Sequence, residues 1–318
     1  MKAVLIQRHG GPEVLEIADV PEPHPAPGEV AIKLEAIGVN YIDLYHREGW
    51  YPLSLPTVLG SEGAGTVIEV GEGVTSVSIG DRVAFANHLG AYAEVVVVPA
   101  GRLVTIPDDV TADVAAAVLL QGMTVHALVN SCARVEPGAT VLVHAAAGGV
   151  GSLLVQYLVR RVASTVVATA STAEKRTRAR RLGAQIVTDY DGFVDAARRL
   201  GGVSVAFDGV GRATFDGSLA ALAPRGMLVL YGQASGPVPP VDPQILNRQG
   251  SIFLTRPSLP HYVATPEELR WRAQAIFADV AAGLLEVTIA ERIPLEEARR
   301  AHEALAGRTT VGKVILVP

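Results

Sequence analysis

Cysteine is almost absent from this chain of 318 residues, which contains only one, Cys132. A single cysteine excludes an intrachain disulfide and any zinc site built from several thiolates, although sites of histidine and carboxylate remain possible. The scarcity predicts a reducing compartment, and we expect the cytoplasm. The eight histidines are scattered, and no two have the spacing that metal ligands take on a helix.

The sequence also lacks long hydrophobic runs and an excess of positive charge. No stretch of 18 apolar residues occurs, so we expect no membrane-spanning segment. Lysine and arginine total 27 against 32 acidic residues, a net charge of -5, which does not favour a nucleic-acid partner. No Gly-x-Ser-x-Gly elbow is present to indicate a hydrolase. We therefore predict an α/β protein that acts on a small molecule.

The first third of the chain is predicted to be a compact β-rich domain. Short runs with partial two-residue alternation or β-branched residues lie between clusters of Gly, Pro and Asp: 14–17, 30–36, 65–70 and 93–98. A different pattern starts near residue 112. A buried helix is predicted over 114–129, followed by repeated βα units from 140 to 231. Such repetition calls for a doubly wound parallel sheet with helices on both faces.

The last part of the chain returns to a β-rich pattern. Thr265-Pro266-Glu267-Glu268 has the signature of a helix N-terminus, and a second short helix is predicted over 295–305. A strand is predicted over 313–317. This order suggests that the chain end rejoins the first domain.

The strongest local signal for chemistry is the turn after the predicted strand 140–144. Its sequence fits the A-x-G-x-x-G dinucleotide fingerprint and comprises Ala147, Gly148, Gly149, Val150 and Gly151. Glycine lets the backbone approach a pyrophosphate, and the following helix supplies unpaired N–H groups. The alternative is a tight structural turn, but the surrounding βα units favour nucleotide binding.

The identity of the dinucleotide follows from the end of the next predicted strand. A site for NAD carries an acidic residue there, whereas this chain has Thr169-Ala170-Ser171-Thr172. Lys175 and Arg176 come shortly afterwards and can meet a 2′-phosphate, so the sequence favours NADPH. Arg178, Arg180 and Arg181 of the same basic cluster are expected to be solvated.

Several separated motifs together resemble the quinone oxidoreductase branch of the medium-chain dehydrogenase/reductases, which includes the zeta-crystallins. These motifs are Asn40-Tyr41-Ile42-Asp43, His144 to Gly151, and Thr255-Arg256-Pro257-Ser258-Leu259. The resemblance extends over nearly the whole chain. It implies a GroES-like catalytic domain made of residues 1–123 and 260–318, and an inserted Rossmann NADPH-binding domain over 124–259. The active site is then expected in the cleft between the domains.

The resemblance also implies which side chains form the site. Ser61 stands where zinc-dependent relatives have a histidine ligand, so no zinc is expected. Catalytic candidates from the family's pattern are Asn40, Asp43, Tyr45 and Tyr51. Asn40 could hold nicotinamide or substrate, the tyrosines could donate to a developing oxyanion, and Asp43 is expected to orient its neighbours. Besides Asn40 and the turn, the residues implied for NADPH are Gln121, Thr124, Ser171, Lys175, Tyr190, Gly232, Gln233, Arg256 and Arg308.

The activity implied is reduction of a quinone or a similarly conjugated carbonyl by NADPH. Reduction of an activated alkene in an enone or enal uses the same motifs and remains open. A zeta-crystallin-like structural or RNA-binding role is the alternative from another class. The apolar segment 251–255 is predicted as an edge strand, and with the resemblance it suggests a homodimer.

Overall fold

The protein is described by a computed structural model that covers every residue from Met1 to Pro318. The chain divides into two compact units. The β-rich unit comprises residues 1–120, 263–281 and 287–318, and the Rossmann unit comprises residues 121–262 and 282–286. The second unit is thus an insertion in the sequence of the first.

Strands and helices follow one another along the whole chain. The strands are β1 (Lys2–Ile6), β2 (Glu16–Asp19), β3 (Glu29–Gly38), β4 (Thr57–Val58), β5 (Glu62–Val70), β6 (Arg82–Ala86), β7 (Val95–Pro99), β8 (Val104–Thr105), β9 (Thr140–Val143), β10 (Thr165–Thr169), β11 (Ile186–Thr188), β12 (Val203–Asp208), β13 (Leu222–Leu230), β14 (Phe253–Thr255), β15 (Ile289–Pro294) and β16 (Lys313–Val317). The α-helices are α1 (Tyr41–Glu48), α2 (Ala112–Ala127), α3 (Gly149–Arg161), α4 (Ala173–Arg181), α5 (Phe193–Arg198), α6 (Phe215–Ala221), α7 (Gln244–Arg248), α8 (Pro266–Ala281) and α9 (Ala298–Ala306).

The β-rich unit contains two sheets. One is three-stranded with the order β2-β1-β4, and the other follows the path β15-β16-β3-β5-β6-β8, with β7 also paired to β3. Its core includes Ile32, Ile37, Leu59, Phe85 and Leu316, all fully buried. Because β16 pairs with β3, the C-terminal strand belongs to the sheet formed by the start of the chain.

The Rossmann unit is built on one parallel sheet with the strand order β11-β10-β9-β12-β13-β14. This order corresponds to the dinucleotide-binding arrangement, in which the order of strands reverses at the first strand. Here that strand is β9, which lies between β10 and β12. Polar side chains at the carboxyl ends of these three strands therefore meet at the switch point, where such folds bind ligands.

The predicted elements agree with the observed ones except at several boundaries. Helix α3 begins at Gly149 instead of 152, because the extended residue Gly148 ends the turn and serves as its N-cap. Strand β13 begins at Leu222 instead of 227. The strands β1, β4, β6, β8 and β15 and the helices α1 and α7 were not predicted, since most of them offer too few residues for a periodic pattern.

The segment from Ala112 to Cys132 combines α2 with one π-helical turn. By length and hydropathy alone it is apolar enough to cross a membrane. However, 72% of its most apolar window is buried inside the protein, as a core helix would be.

Candidate functional site

The predicted phosphate-binding turn joins β9 to the N-terminus of α3. Ala145 takes a positive φ of 52°, and the backbone N–H of Gly148 donates to the Ala145 carbonyl at 2.9 Å. A Cβ atom on Gly151 would collide with that same carbonyl oxygen, so only glycine allows the helix to start this close to the turn. No side chain caps α3 at Gly148. The N-terminal N–H groups of α3 are thus suited to bind an anion.

A buried hydrogen-bond network supports this turn at the switch point. His144 follows β9; its Nδ1 lies 2.9 Å from Thr169 Oγ1 and its Nε2 lies 2.9 Å from Ser218 Oγ. Ser218 donates its only hydroxyl hydrogen to Asp208 at 2.8 Å, so it must accept from Nε2–H of the imidazole. Nδ1 then accepts from Thr169. Burial lowers the pKa of His144 to about 4, which keeps the ring neutral.

The predicted 2′-phosphate corner lies at the end of β10 and the start of α4. Thr172 caps α4 by accepting from the backbone N–H of Lys175, which places Lys175 in the first turn. Arg176 folds back and donates to the carbonyls of Ala170 and Ser171 at 3.3 and 3.1 Å. The guanidinium of Arg176 is thus bound to the backbone at the end of β10.

Tyr190 connects the corner to the network beneath the turn. Its ring stacks on the imidazole of His144 at a centroid distance of 6.0 Å and an angle of 20°. Phe193 packs edge-on against the same imidazole at 4.8 Å. His144 thereby contacts both the strand ends under the turn and the tyrosine predicted to face the 2′-phosphate.

The residues predicted for the nicotinamide side lie at two places in the Rossmann unit. Gln121 packs against the turn so closely that a Cβ atom on Gly149 would collide with its amide, and Thr124 follows one turn later on α2. Gly232 and Gln233 come just after β13 and line a cavity of about 250 Å³ together with Arg256. The rest of that lining is largely apolar, with Phe215, Leu230, Pro237, Val238, Pro239, Val241 and Leu254.

In the β-rich unit, Asn40 is part of a buried charged cluster. Lys313 Nζ donates at 2.7 Å both to Asn40 Oδ1 and to Glu62 Oε2, while Asn40 Nδ2 donates to Glu62 Oε2 at 2.9 Å and to the Gly38 carbonyl at 3.2 Å. Lysine can only donate and a carboxylate can only accept, so these partners fix which end of the amide is oxygen. Both amide hydrogens of Asn40 are thus occupied within the protein.

Asp43 continues this network away from the amide. Its carboxylate accepts from the backbone N–H of Asn40 at 2.8 Å, from Ser61 Oγ at 2.7 Å and from the Tyr92 hydroxyl at 3.3 Å. Tyr92 in turn lies 2.9 Å from Nε2 of His302. Burial raises the pKa of Asp43 to about 6, against the effect of these donors. Asp43 is fully buried, and its carboxylate connects Asn40, Ser61 and Tyr92.

The same geometry is unsuited to a zinc ion. Ser61, which occupies the predicted position of a ligand histidine, directs its hydroxyl at Asp43. The ammonium of Lys313 already neutralises the Glu62 carboxylate. No three His, Cys, Asp or Glu side chains are grouped so that they could hold a metal. A cation would have to displace Lys313 from a fully buried ion pair, so the donor set does not fit zinc.

Tyr45 and Tyr51 belong to an aromatic cluster at the end of α1. Tyr45 is stacked in parallel with Trp50, with ring centroids 5.1 Å apart and an angle of 6°. Tyr51 lies 6.0 Å from Tyr45 and is partly exposed. Burial lowers the pKa of His46, whose ring packs edge-on to Tyr51. His46 is a half-buried residue of α1.

Arg308, predicted to face the cofactor or the cleft, is an exposed residue just after α9. It lies close enough to the Tyr41 hydroxyl to oppose the rise that burial causes in the pKa of that tyrosine. Tyr41 also donates to the Leu305 carbonyl at 3.1 Å. Within the β-rich unit, Arg308 is thus near the aromatic cluster.

Sequence reasoning missed Glu62, Lys313, Trp50 and the network around His144. One signal was available for the first two, since each is a charged residue at the first position of a strand that continues with apolar or small residues, and their charges are opposite. A single charge in a buried strand usually requires a partner of opposite sign. Pairing β16 with β3, and β3 with β5, brings these two together.

The sequence was compared with those of known proteins. A quinone oxidoreductase of Pseudomonas aeruginosa is 42% identical, and the match covers 100% of this chain and 99% of the relative. The chain belongs to the quinone oxidoreductase family. The model of the alcohol dehydrogenase GroES-like domain matches residues 26–108, and that of the zinc-binding dehydrogenases matches residues 182–316.

Two further relatives of this family member bear on its chemistry. A mycobacterial structure solved as a complex with NADPH is 50% identical, covers 100% of both chains and superposes with a TM-score of 0.97. A 2-haloacrylate reductase of a Burkholderia species is 39% identical over 99% of this chain and 98% of its own. Quinone oxidoreductases and a 2-haloacrylate reductase are therefore both similar to the chain along its full length.

Proposed function

We propose that this chain is an NADPH-dependent quinone oxidoreductase that works without zinc. The observation that carries the proposal is the intact phosphate-binding turn at the switch point, next to a corner with Lys175 and no carboxylate from β10. Full-length similarity to quinone oxidoreductases supports the choice of acceptor. NADPH, when bound, supplies the hydride, and the protein supplies position and electrostatics.

The cofactor would be held by the residues of the Rossmann unit described above. The N-terminus of α3 would bind the pyrophosphate, and Lys175 with Ser171 and Tyr190 would bind the 2′-phosphate. Gln121, Thr124, Gly232 and Gln233 would line the nicotinamide side. Arg256 and Arg308 remain weaker candidates for this task, because both are exposed and arginine serves equally well in surface ion pairs.

The β-rich unit would supply the groups that act on the acceptor. Because both hydrogens of the Asn40 amide are engaged within the protein, Asn40 can only accept a hydrogen bond from a ligand. That suits the carboxamide NH2 of nicotinamide better than the oxygen of a quinone. Stabilisation of negative charge on the acceptor oxygen then falls to the hydroxyls of Tyr45 and Tyr51.

The cofactor assignment is tested by titrating Lys175→Ala with NADPH and NADH. We expect the dissociation constant for NADPH to rise about 10- to 100-fold, as for loss of a hydrogen bond to a charged group, and that for NADH to stay within about twofold. Arg181→Ala is a matched control, because Arg181 is an exposed cation on the same helix that pairs with Glu286 at 3.3 Å. Equal losses for both nucleotides would contradict the assigned corner.

Alkene reduction is the second candidate, and the similar 2-haloacrylate reductase favours it. Initial rates with NADPH against a panel of quinones, enones and 2-haloacrylate separate the two activities. We expect quinones to give the highest kcat/KM. Activity confined to alkenes would overturn the quinone assignment, and NADPH binding without oxidation by any acceptor would favour a binding protein.

We also propose a homodimer formed through β14, in a reducing compartment such as the cytoplasm. Strand β14 is an edge of the Rossmann sheet, and Phe253 on it is 57% exposed. An edge strand with an apolar side chain is suited to pair with a second copy. Light scattering should give twice the chain mass, and Phe253→Lys should shift it toward the monomer.

A further inference from the structure

The aromatic residues at the end of α1 include Trp50, to which neither the sequence nor the comparisons assign a role. Aromatic residues make up only 5% of the chain, yet Tyr41, Tyr45, Trp50 and Tyr51 fall within eleven positions. Trp50 is 44% exposed and Tyr51 is 40% exposed. We call Trp50 together with Tyr45 and Tyr51 the aromatic platform.

The backbone fixes the position of Trp50. Gly49 ends α1 in the left-handed conformation with φ of 80°, and a Cβ atom there would also crowd the His9 ring. This turn lets the backbone N–H of Trp50 donate to the Tyr45 carbonyl at 2.9 Å. The indole is thereby folded back onto Tyr45, which is itself buried. Because its place is set before any ligand arrives, little conformational entropy is lost on binding.

The stacking covers one side of the indole, and Trp50 is still 44% exposed. The rings of Trp50 and Tyr45 are parallel, with centroids 5.1 Å apart, so the tyrosine covers one face of the indole. The exposed surface of Trp50 must therefore lie on the remainder of its side chain. Aromatic rings prefer offset stacking on other planar rings, and such pairs are worth roughly 0.5–1.5 kcal/mol beyond burial of area. A quinone ring is flat and electron-poor, which matches an electron-rich indole face. An acyclic enone or haloacrylate has no ring to stack.

We propose that Trp50 is a specificity-determining residue that stacks on the ring of the acceptor, so that the protein prefers fused-ring quinones to acyclic acceptors. This inference rests on the proposed function and names its substrate class. Tyr45 and Tyr51, predicted to act on the acceptor oxygen, are neighbours of the indole in the same platform. A ring held by Trp50 would therefore lie beside the hydroxyls that stabilise charge on its oxygen.

Kinetics with Trp50→Leu test the preference directly. We expect kcat/KM for phenanthrenequinone to fall about threefold to tenfold, which corresponds to the loss of one stacking pair, and that for an acyclic enone to change by less than about twofold. Trp271→Leu is the matched control, because Trp271 is the only other tryptophan, is 51% exposed and lies on α8. A uniform loss for all acceptors, or no loss for the fused-ring quinone, would overturn the inference.

Tryptophan fluorescence gives a readout that does not depend on turnover. Trp271→Phe leaves Trp50 as the sole tryptophan, and Trp50→Phe leaves Trp271. On titration with phenanthrenequinone in the absence of NADPH, we expect saturable quenching of Trp50 with an unchanged lifetime, and only collisional quenching of Trp271. Collisional quenching of both would overturn the inference. If Trp50 is quenched saturably but no quinone is reduced, the platform stands and the proposed activity fails.

Discussion

Replacing Lys313 by methionine would remove the cation from the fully buried ion pair with Glu62. The carboxylate would keep its hydrogen bonds from Asn40 and from the backbone N–H of Leu120, but no charge would balance it. Removing one partner of a buried pair costs about 3–5 kcal/mol, because the remaining charge stays desolvated. Glu62→Gln, which removes the carboxylate hydrogen-bonded to the ammonium, is expected to cost a similar amount.

The double variant Lys313→Met with Glu62→Gln removes both charges and keeps the carbonyl that accepts from Leu120. Its cost should be far smaller than the sum of the two single costs, with a coupling of several kcal/mol. The coupling is measured by urea unfolding followed by tryptophan fluorescence. This signal reports on the β-rich unit, because Trp50 and Trp271 both belong to it. Lys2→Met, at the exposed pair with Glu296, is the control and should leave stability unchanged. Additive single losses would refute the reasoning.

Two further predictions concern the Rossmann unit. Gly151→Ala should lower the free energy of unfolding by about 1–3 kcal/mol and weaken NADPH binding, because its Cβ would push α3 away from the turn. Gly101→Ala is the control, since a Cβ there meets only Pro266, and it should change neither quantity. Urea unfolding and titration with NADPH measure the two effects. His144→Gln should flatten the pH dependence of stability. Between pH 6.5 and about 4 the imidazole is protonated in the unfolded chain but not in the folded protein. In the protein with His144, the free energy of unfolding should therefore fall by about 1.4 kcal/mol for each unit that the pH is lowered. If His144→Gln shows the same slope in urea unfolding, this prediction is wrong.

The long, regular elements were predictable because each depends on its own residues. The strand expected over 140–144 is β9 (Thr140–Val143), and the helix expected to start near Pro266 is α8, which begins at that residue. The turn at Gly148 was predictable for the same reason, since a strand, small residues and a helix follow one another directly. The β-rich unit was harder, because its short strands pair with distant ones, as β16 does with β3.

The candidate site shows the same division. Lys175 could be predicted from the absence of an acid after β10, which is a local feature. The role of Asn40 could not, because the orientation of its amide depends on Glu62 and Lys313, 22 and 273 positions away in the sequence. Trp50 was overlooked because a lone exposed tryptophan has no pattern, and only its stack on Tyr45 distinguishes it from Trp271.

By itself, the sequence determined that the chain has one cysteine, a dinucleotide turn and a cationic corner, and these follow from residue types at short spacing. The tertiary structure alone decided that a buried lysine lies beside Glu62, that His144 connects the ends of β9 and β10 to α6, and that one indole is stacked on a tyrosine. Each of these depends on desolvated groups from separate strands or turns meeting with complementary charge or shape. Such contacts depend on which strands pair and where the chain reverses, and local sequence patterns do not predict either.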